Sequence, residues 1–342
     1  MHLYNLWFVA IAVLWVGYFF LEGFDFGVGI LTRVLAKSDT ERRVLINTIG
    51  PVWDGNEVWL ITAAGATFAA FPEWYASLFS GFYLPLLLIL LALIVRGVAF
   101  EYRGTGDTDQ WRQRWDLAIF WGSLIPAVLW GLVFANIVRG MKLDARHLYV
   151  GSLFDLLNPY ALLGGLVTLG LFLVHGSVFL ALKTTGDLRV RANRLAARMG
   201  PVVAVLTVIF LGILAEHAGR GLGLVAMIVL AVLAVGCFGA ALGANRVGRE
   251  GWAFALSGAT IVLGVTALFV ALYPNVLPST LNDSYSLTVR NAASTPKALG
   301  VMTWAAAIFL PLVLAYQAWT YWVFRKRIGV EHIPARVPAH TT

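Results

Sequence analysis

The chain has 342 residues, 59% of them hydrophobic and 13% charged, with a mean hydropathy of +0.78. A soluble domain of this size could not cover so much apolar surface, so composition excludes an ordinary globular protein and points to the bilayer. The formal charge of +7 could suggest nucleic acid, but the basic residues cluster as membrane topology requires.

A span needs about 20 apolar residues. Nine stretches qualify: 6–31, 50–71, 75–100, 115–138, 159–182, 199–217, 221–243, 252–273 and 299–324. The first is too long for a cleaved signal, lacks a basic leader and carries acids at its far end. The expected fold is an all-α integral membrane protein with nine transmembrane helices. Two four-helix halves, about 6–138 and about 159–273, are followed by a peripheral ninth helix at about 299–324. No internal repeat is detectable between the halves. Residues 1–326 form one polytopic membrane domain, and 327–342 form a tail.

Arginine and lysine set the orientation. One side collects Arg33, Lys37, Arg42, Arg43, Arg103, Arg112, Arg114, Lys183, Arg189, Arg191, Arg194, Arg198, Arg246, Arg249, Arg325, Lys326 and Arg327. The other holds only Arg139, Lys142, Arg146, Arg220, Arg290 and Lys297. The richer side is therefore expected to be cytoplasmic, with the amino terminus outside and the tail inside. The basic stretch 183–198 reads most simply as a positive-inside loop, with a short surface helix against anionic lipid as the alternative. Two longer outer links run over 139–158 and 274–298. The second is polar and turn-rich and is expected to form an ordered cap.

The most informative residues are acids inside apolar stretches: Glu22 and Asp25 in the first span, Asp54 and Glu57 in the second. Each pair is spaced i, i+3 and so shares a helix face. Asp25 precedes Arg33 by about 12 Å of helix, which puts both first-span acids in the basic-side half. Pro51 marks a break before Asp54. Arg96 comes about two turns before Arg103 in the third span. Four acids and one arginine thus reach similar depth, with Asn47, Thr48 and Asn56 as neutral company. Four carboxylates against one guanidinium cannot all ionise at low dielectric, so some are expected to keep their protons. Such a cluster suits a proton relay. A structural lock, with Arg96 neutralising one acid, and cation coordination are the other readings.

Other motifs say less. Gly27 and Gly29 allow close helix approach; a nucleotide-binding loop is excluded because no strand precedes them. The single cysteine, Cys237, excludes an internal disulfide and a cysteine-ligated cluster. Of the histidines His2, His147, His175, His217, His332 and His340, only His175 lies well inside a span. One such histidine cannot make a two-histidine haem site, and packing or a local hydrogen bond suits it better than ligation. Met199, Met227 and Met302 read as packing residues. Trp74, Trp111, Trp115, Trp319 and Trp322 sit at span ends as an interfacial belt. Trp53 and Trp59 instead flank the second pair of acids, as packing or as walls of a narrow cavity.

The segment Leu21-Glu22-Gly23-Phe24-Asp25-Phe26-Gly27-Val28-Gly29 resembles the first-helix signature of subunit II of cytochrome bd-type quinol oxidases. Asp39-Thr40-Glu41-Arg42-Arg43 and Pro51-Val52-Trp53-Asp54-Gly55-Asn56-Glu57-Val58-Trp59-Leu60 are similar to the segments that follow it. So are Phe79-Ser80-Gly81-Phe82-Tyr83, Leu156-Leu157-Asn158-Pro159, Pro278-Ser279 and Val301-Met302-Thr303, in order to about residue 326. The resemblance implies a heterodimer in a prokaryotic inner membrane. Haems b and d and the quinol site would lie in subunit I, with quinol and oxygen as substrates and no haem ligand from this chain. It implies that Asp54 and Asp25 belong to a cytoplasmic proton path and that Trp59 lines an oxygen tunnel. Glu22, Glu57 and Arg96 join the path by depth; family members vary at the Glu57 position. A structural quinone or lipid and a small single-helix subunit are compatible with it. The shortage of internal histidines fits that division of labour. Two other classes remain in view: a proton-coupled secondary transporter, which midplane acids also suit, and a purely structural subunit.

Overall fold

The computed structural model describes residues 2–334, so His340 and the tail beyond 334 lie outside the described residues. In chain order the helices are α1 (Leu3–Leu35), α2 (Asp39–Ile49), α3 (Trp53–Ala70), α4 (Pro72–Gly81), α5 (Tyr83–Tyr102) and α6 (Asp109–Arg139). They continue as α7 (Pro159–Lys183), α8 (Gly186–His217), α9 (Leu222–Arg246), α10 (Glu250–Leu272) and α11 (Pro296–Val323). Strands β1 (Asn275–Leu277) and β2 (Leu287–Thr288) form one antiparallel hairpin. Among the described residues, eight helices are long and apolar enough to cross a membrane: α1 and α5 through α11. α3 occupies the expected second span with 18 residues, but it carries Asp54, Asn56 and Glu57 and is not among the eight.

Local chemistry sets the helix ends. Ser38, Thr108, Asn158 and Thr295 each accept a backbone N–H at the start of α2, α6, α7 and α11. Pro159 and Pro296 follow in the first turn, where a missing N–H costs nothing. The stretch 75–100, expected as one helix, is two, broken at Phe82. Pro85 explains the break: it has no N–H to give the Gly81 carbonyl four residues back. The basic stretch 183–198 differs in the other direction. From Gly186 it is the first half of α8, continuous with the span, rather than a loop or a separate surface helix.

α1 is the central post, packed against α7, α6, α3 and α10. Glycine permits this crowding where helices cross. A Cβ on Gly27 would lie 2.1 Å from the Phe172 carbonyl oxygen, and one on Gly176 would lie 2.7 Å from the Gly27 Cα. Gly29 meets the Ser123 hydroxyl of α6 in the same way. α11 stands apart: within the helix only Leu299 is buried.

The two long links are stitched together at one end of the bundle. Met141 N–H donates to the Pro278 carbonyl at 2.9 Å and Thr280 N–H to the Met141 carbonyl at 2.8 Å. The Ser279 hydroxyl donates to the Leu143 carbonyl, and Ser294 N–H reaches the Ala70 carbonyl at the end of α3. The cap expected over 274–298 is therefore ordered. Trp74, expected in an interfacial belt, is buried beneath this end and lines an apolar cavity of about 20 Å³. Trp319 and Trp322 are exposed, as a belt requires.

The opposite end carries the arginines. Arg103 donates to both oxygens of Asp116 and to Asp39, Arg191 pairs with Glu41, and Arg189 pairs with Glu250. Lys183 donates to the carbonyls of Phe324 and Lys326 just past α11, and Arg43 donates to the Pro334 carbonyl.

Gly27→Val should cost about 1–3 kcal/mol or more, because the new branches meet backbone that cannot move aside. A thermal melt of the detergent-extracted protein should show a lower midpoint, while Gly236→Ala, where a Cβ meets nothing within 4 Å, should leave it unchanged.

In the cap, the Lys142 ammonium and the Ser152 N–H and hydroxyl hold the Asp155 carboxyl down to about 2. The tie is thus complete above the usual carboxylate value of about 4 and is lost as pH falls through about 2. Carbon NMR of the Asp155 carboxyl should show that low midpoint, moving back toward about 4 in Lys142→Ala.

Candidate functional site

α1 presents Glu22 and Asp25 on one face, and both side chains are fully buried. α5 brings Arg96, also fully buried, across from them. The Arg96 Nη2 donates to both Glu22 oxygens, at 2.8 and 3.1 Å. Its guanidinium lies over the Phe26 ring at 4.6 Å and near Phe100 at 5.7 Å. These faces hold the cation in an apolar slot. Gly122 of α6 makes room behind it, since a Cβ there would sit 2.7 Å from the Arg96 Cβ. The structural lock expected of Arg96 is therefore present, and Glu22 is the acid it neutralises.

Asp25 has a different partner. Asn56 of α3, fully buried, donates its Nδ2 to Asp25 Oδ2 at 2.7 Å. Asp25 Oδ1 is buried with no partner among the described residues. Glu57, on the next position of α3, is half-buried, and its Oε1 is also buried without a partner. Arg96 Nε and Nη1 are in the same condition. Buried polar atoms are normally satisfied, so this clustering marks a place where waters or exchangeable protons belong.

Not every expected member joins. Asp54 is exposed at the first turn of α3, on the same outward face as Val58, Ile61 and Phe68. Asn47 is exposed too, and Thr48 spends its hydroxyl on the Leu45 carbonyl of its own helix. Trp59 does not line the apolar cavity beside Trp74 or the one between Phe19, Phe172 and Phe210. Its ring packs into the notch at Gly17, where any Cβ would lie 2.1 Å away. Its indole donates to Gln317 Oε1 at 2.9 Å. Trp53 packs against Phe100.

Gln317 and Tyr321 join the cluster without having been expected from sequence. Gln317 Nε2 donates to Asn56 Oδ1 at 3.2 Å, and the Tyr321 hydroxyl donates to the same oxygen at 2.7 Å. Both come from α11, which was expected to be merely peripheral. A signal was there: Gln317 is the one amide in that apolar helix, and Tyr321 follows it at i+4. Tyr18, which accepts a hydrogen bond from Trp130 at 3.0 Å one turn before Glu22, was not expected either.

His175 is fully buried, shares a 2.8 Å hydrogen bond between Nδ1 and the Ser257 hydroxyl, and stacks on Phe254 with centroids 4.7 Å apart. That is the packing and local hydrogen bonding expected of it. No group of three or more His, Cys, Asp or Glu suited to a metal ion occurs among the described residues.

Removing one half of the central ion pair should be severe. Arg96→Leu leaves Glu22 charged and alone in the bundle, at a cost of about 3–5 kcal/mol. The double variant Arg96→Leu/Glu22→Leu should recover most of that loss in a thermal-unfolding double-mutant cycle.

Comparison with known proteins adds a separate line. Residues 3–324 match the family model described as cytochrome bd terminal oxidase subunit II. The chain is 48% identical to the cytochrome bd ubiquinol oxidase subunit 2 of Bacillus subtilis over 331 residues, covering 96% of this chain and 97% of that one. It is 36% identical to the cytochrome bd-I ubiquinol oxidase subunit 2 of Escherichia coli, with 96% of each covered. The fold is similar to a chain in the structure of bd oxidase from Geobacillus thermodenitrificans, with a TM-score of 0.76 at 19% identity, covering 94% of this chain and 99% of that one.

Proposed function

The chain belongs to the cytochrome bd terminal oxidase subunit II family, and from that premise we propose that its buried acids form part of the proton path that feeds oxygen reduction. It is the non-haem subunit of a quinol:oxygen oxidoreductase, partnering a haem-bearing subunit I, and it is a multi-pass protein of a prokaryotic inner membrane. Nothing in these relationships favours a proton-coupled transporter.

The observation that carries the reading is Asp25. It is a fully buried carboxylate with one oxygen unpartnered among the described residues. The nearest guanidinium is already committed through Nη2 to Glu22. Such a group in a membrane bundle suits holding and passing a proton. Glu57, with its own unpartnered oxygen, sits beside it as the next station, while Glu22 and Arg96 supply a fixed ion pair. Asp54 enters the proposal differently. Its exposure on an apolar helix face is costly against lipid, which favours a covering subunit I there and a path along that contact.

The finer topology belongs to the same proposal. α3 acts as a further span, giving nine: two four-helix halves and a peripheral α11. The arginine-rich end is cytoplasmic with the carboxyl tail, and the cap and amino terminus are outside. The membrane domain ends near 326 and the tail follows. Haems b and d and the quinol site lie in subunit I. Trp59 walls an oxygen route beside Gly17. A structural quinone or lipid and a small single-helix subunit are compatible occupants of the complex.

Asp25→Asn and Asp54→Asn should each slow quinol-driven oxygen consumption about tenfold or more while the haem absorbance of the purified complex is retained. Normal turnover at neutral and alkaline pH would refute the proton role. Loss of subunit I from the membrane on immunoblotting would indicate a scaffold only, and a colourless preparation that catalyses solute uptake would restore the transporter.

A further inference from the structure

The amide of Asn56 could face Asp25 with either end. The structure shows why only one is offered. Trp59 carries an indole N–H, which can donate and never accept. It donates to Gln317, so the oxygen of that amide must point at Trp59. The Gln317 nitrogen is then turned toward Asn56, where it meets Oδ1 at 3.2 Å. The Tyr321 hydroxyl arrives at the same oxygen at 2.7 Å. With its oxygen claimed by two donors, Asn56 can present only its N–H groups to Asp25, and Nδ2 does so at 2.7 Å. Direction is thus imposed link by link from a group that has no alternative.

We infer that Gln317 and Tyr321 of α11 are positioning residues for Asp25, acting through Asn56 to ensure that the carboxylate always meets a donor. The inference rests on the proposed proton role of Asp25. A donor is complementary to an ionised carboxylate, which only accepts. A reversed amide would offer an oxygen, which only a protonated carboxyl can meet. α11 therefore sets the terms on which Asp25 gives up its proton, although neither of its residues touches that acid by a hydrogen bond.

The arrangement also accounts for two oddities. α11 is nearly bare, yet it places an amide and a phenol against the one buried amide of α3. The second oxygen of Asp25 has no protein partner, so Asn56 is the only protein hydrogen bond the carboxylate has among the described residues. A change in that single bond is not buffered by others.

Other charged groups near Asp25 stay constant in the test. Glu22 lies one turn away on α1, Arg96 faces it from α5, and Glu57 faces it from α3 with Asp54 a turn behind. Tyr18 is a turn beyond Glu22 and holds Trp130. On the other helices packed against α1, His175 is committed to Ser257, Asp116 to Arg103 and Glu250 to Arg189.

The experiment uses the purified two-subunit complex carrying Gln317→Leu together with Tyr321→Phe. Oxygen consumption is followed as a function of pH, with the haem spectrum as the check on integrity. Freed of both donors, Asn56 can reverse, and the alkaline limb of the profile should move to higher pH by about half a unit or more. Tyr316→Phe, exposed on the same helix, should leave the profile in place. A lower rate with an unmoved profile would mean that α11 is a structural brace only, and the inference would fall. Gln317→Leu alone decides the matter if the double variant does not assemble, because it removes the donor whose direction Trp59 fixes, and the Tyr321 hydroxyl that remains can accept as well as donate. A shift in the same direction supports the inference and an unmoved profile overturns it. Asp25→Asn separates the two levels. If that variant turns over normally, the proton reading itself fails. If it is slow while the α11 variants keep the parental profile, only the positioning role fails.

Discussion

One fully buried ion pair organises the bundle. Arg96 and Glu22 are both fully buried, and the guanidinium meets both carboxylate oxygens. In a low-dielectric interior neither charge tolerates separation, so α1 and α5 are held at one depth and one rotation. The neighbouring helices conform to that constraint. Gly122 lets α6 close behind the arginine, Phe26 and Phe100 provide its aromatic walls, and Gly27 lets α7 press against the same stretch of α1. The charge that could have served all the acids is spent locally on one of them. That separates a locked acid, Glu22, from two less constrained ones, Asp25 and Glu57.

Around this pair the two ends of the molecule use different chemistry. The arginine-rich end is tied by ion pairs, one buried between Arg103 and Asp116 and others with an exposed partner, such as Arg189 with Glu250. The cap end is tied by backbone hydrogen bonds between two links distant in sequence. Exposed ion pairs contribute little stability each. Their value here lies more in fixing where helix ends sit than in strength.

What could be read from sequence followed from local rules. Spans are visible because about 20 apolar residues announce themselves, and Glu22, Asp25 and Arg96 stand out because charge in such runs is rare. The break at Phe82 does not show in hydropathy because the apolar run continues through Pro85 on both sides, and apolar length alone does not distinguish one helix from two. The helical form of 186–198 was missed because basic residues mark a topology side without stating whether the backbone coils. Asp54 and Glu57 look equivalent by spacing, yet α3 turns the first outward and the second partly inward. No i, i+3 rule gives the rotation of a helix about its own axis. Gln317 and Tyr321 were invisible for a further reason: their importance depends on a partner 261 or 265 positions earlier in the chain.

That separation along the chain has a consequence for biosynthesis. Asn56 and Asp25 belong to the first helices made, and they can pair as soon as α1 and α3 meet. The groups that orient the amide leave the ribosome 261 and 265 positions after Asn56, since proteins emerge amino end first. A nascent chain halted before α11 would hold a core with an unanchored polar centre, able to pack yet unable to fix that amide. The interior chemistry laid down by the first helices is thus complete only once α11 has been made.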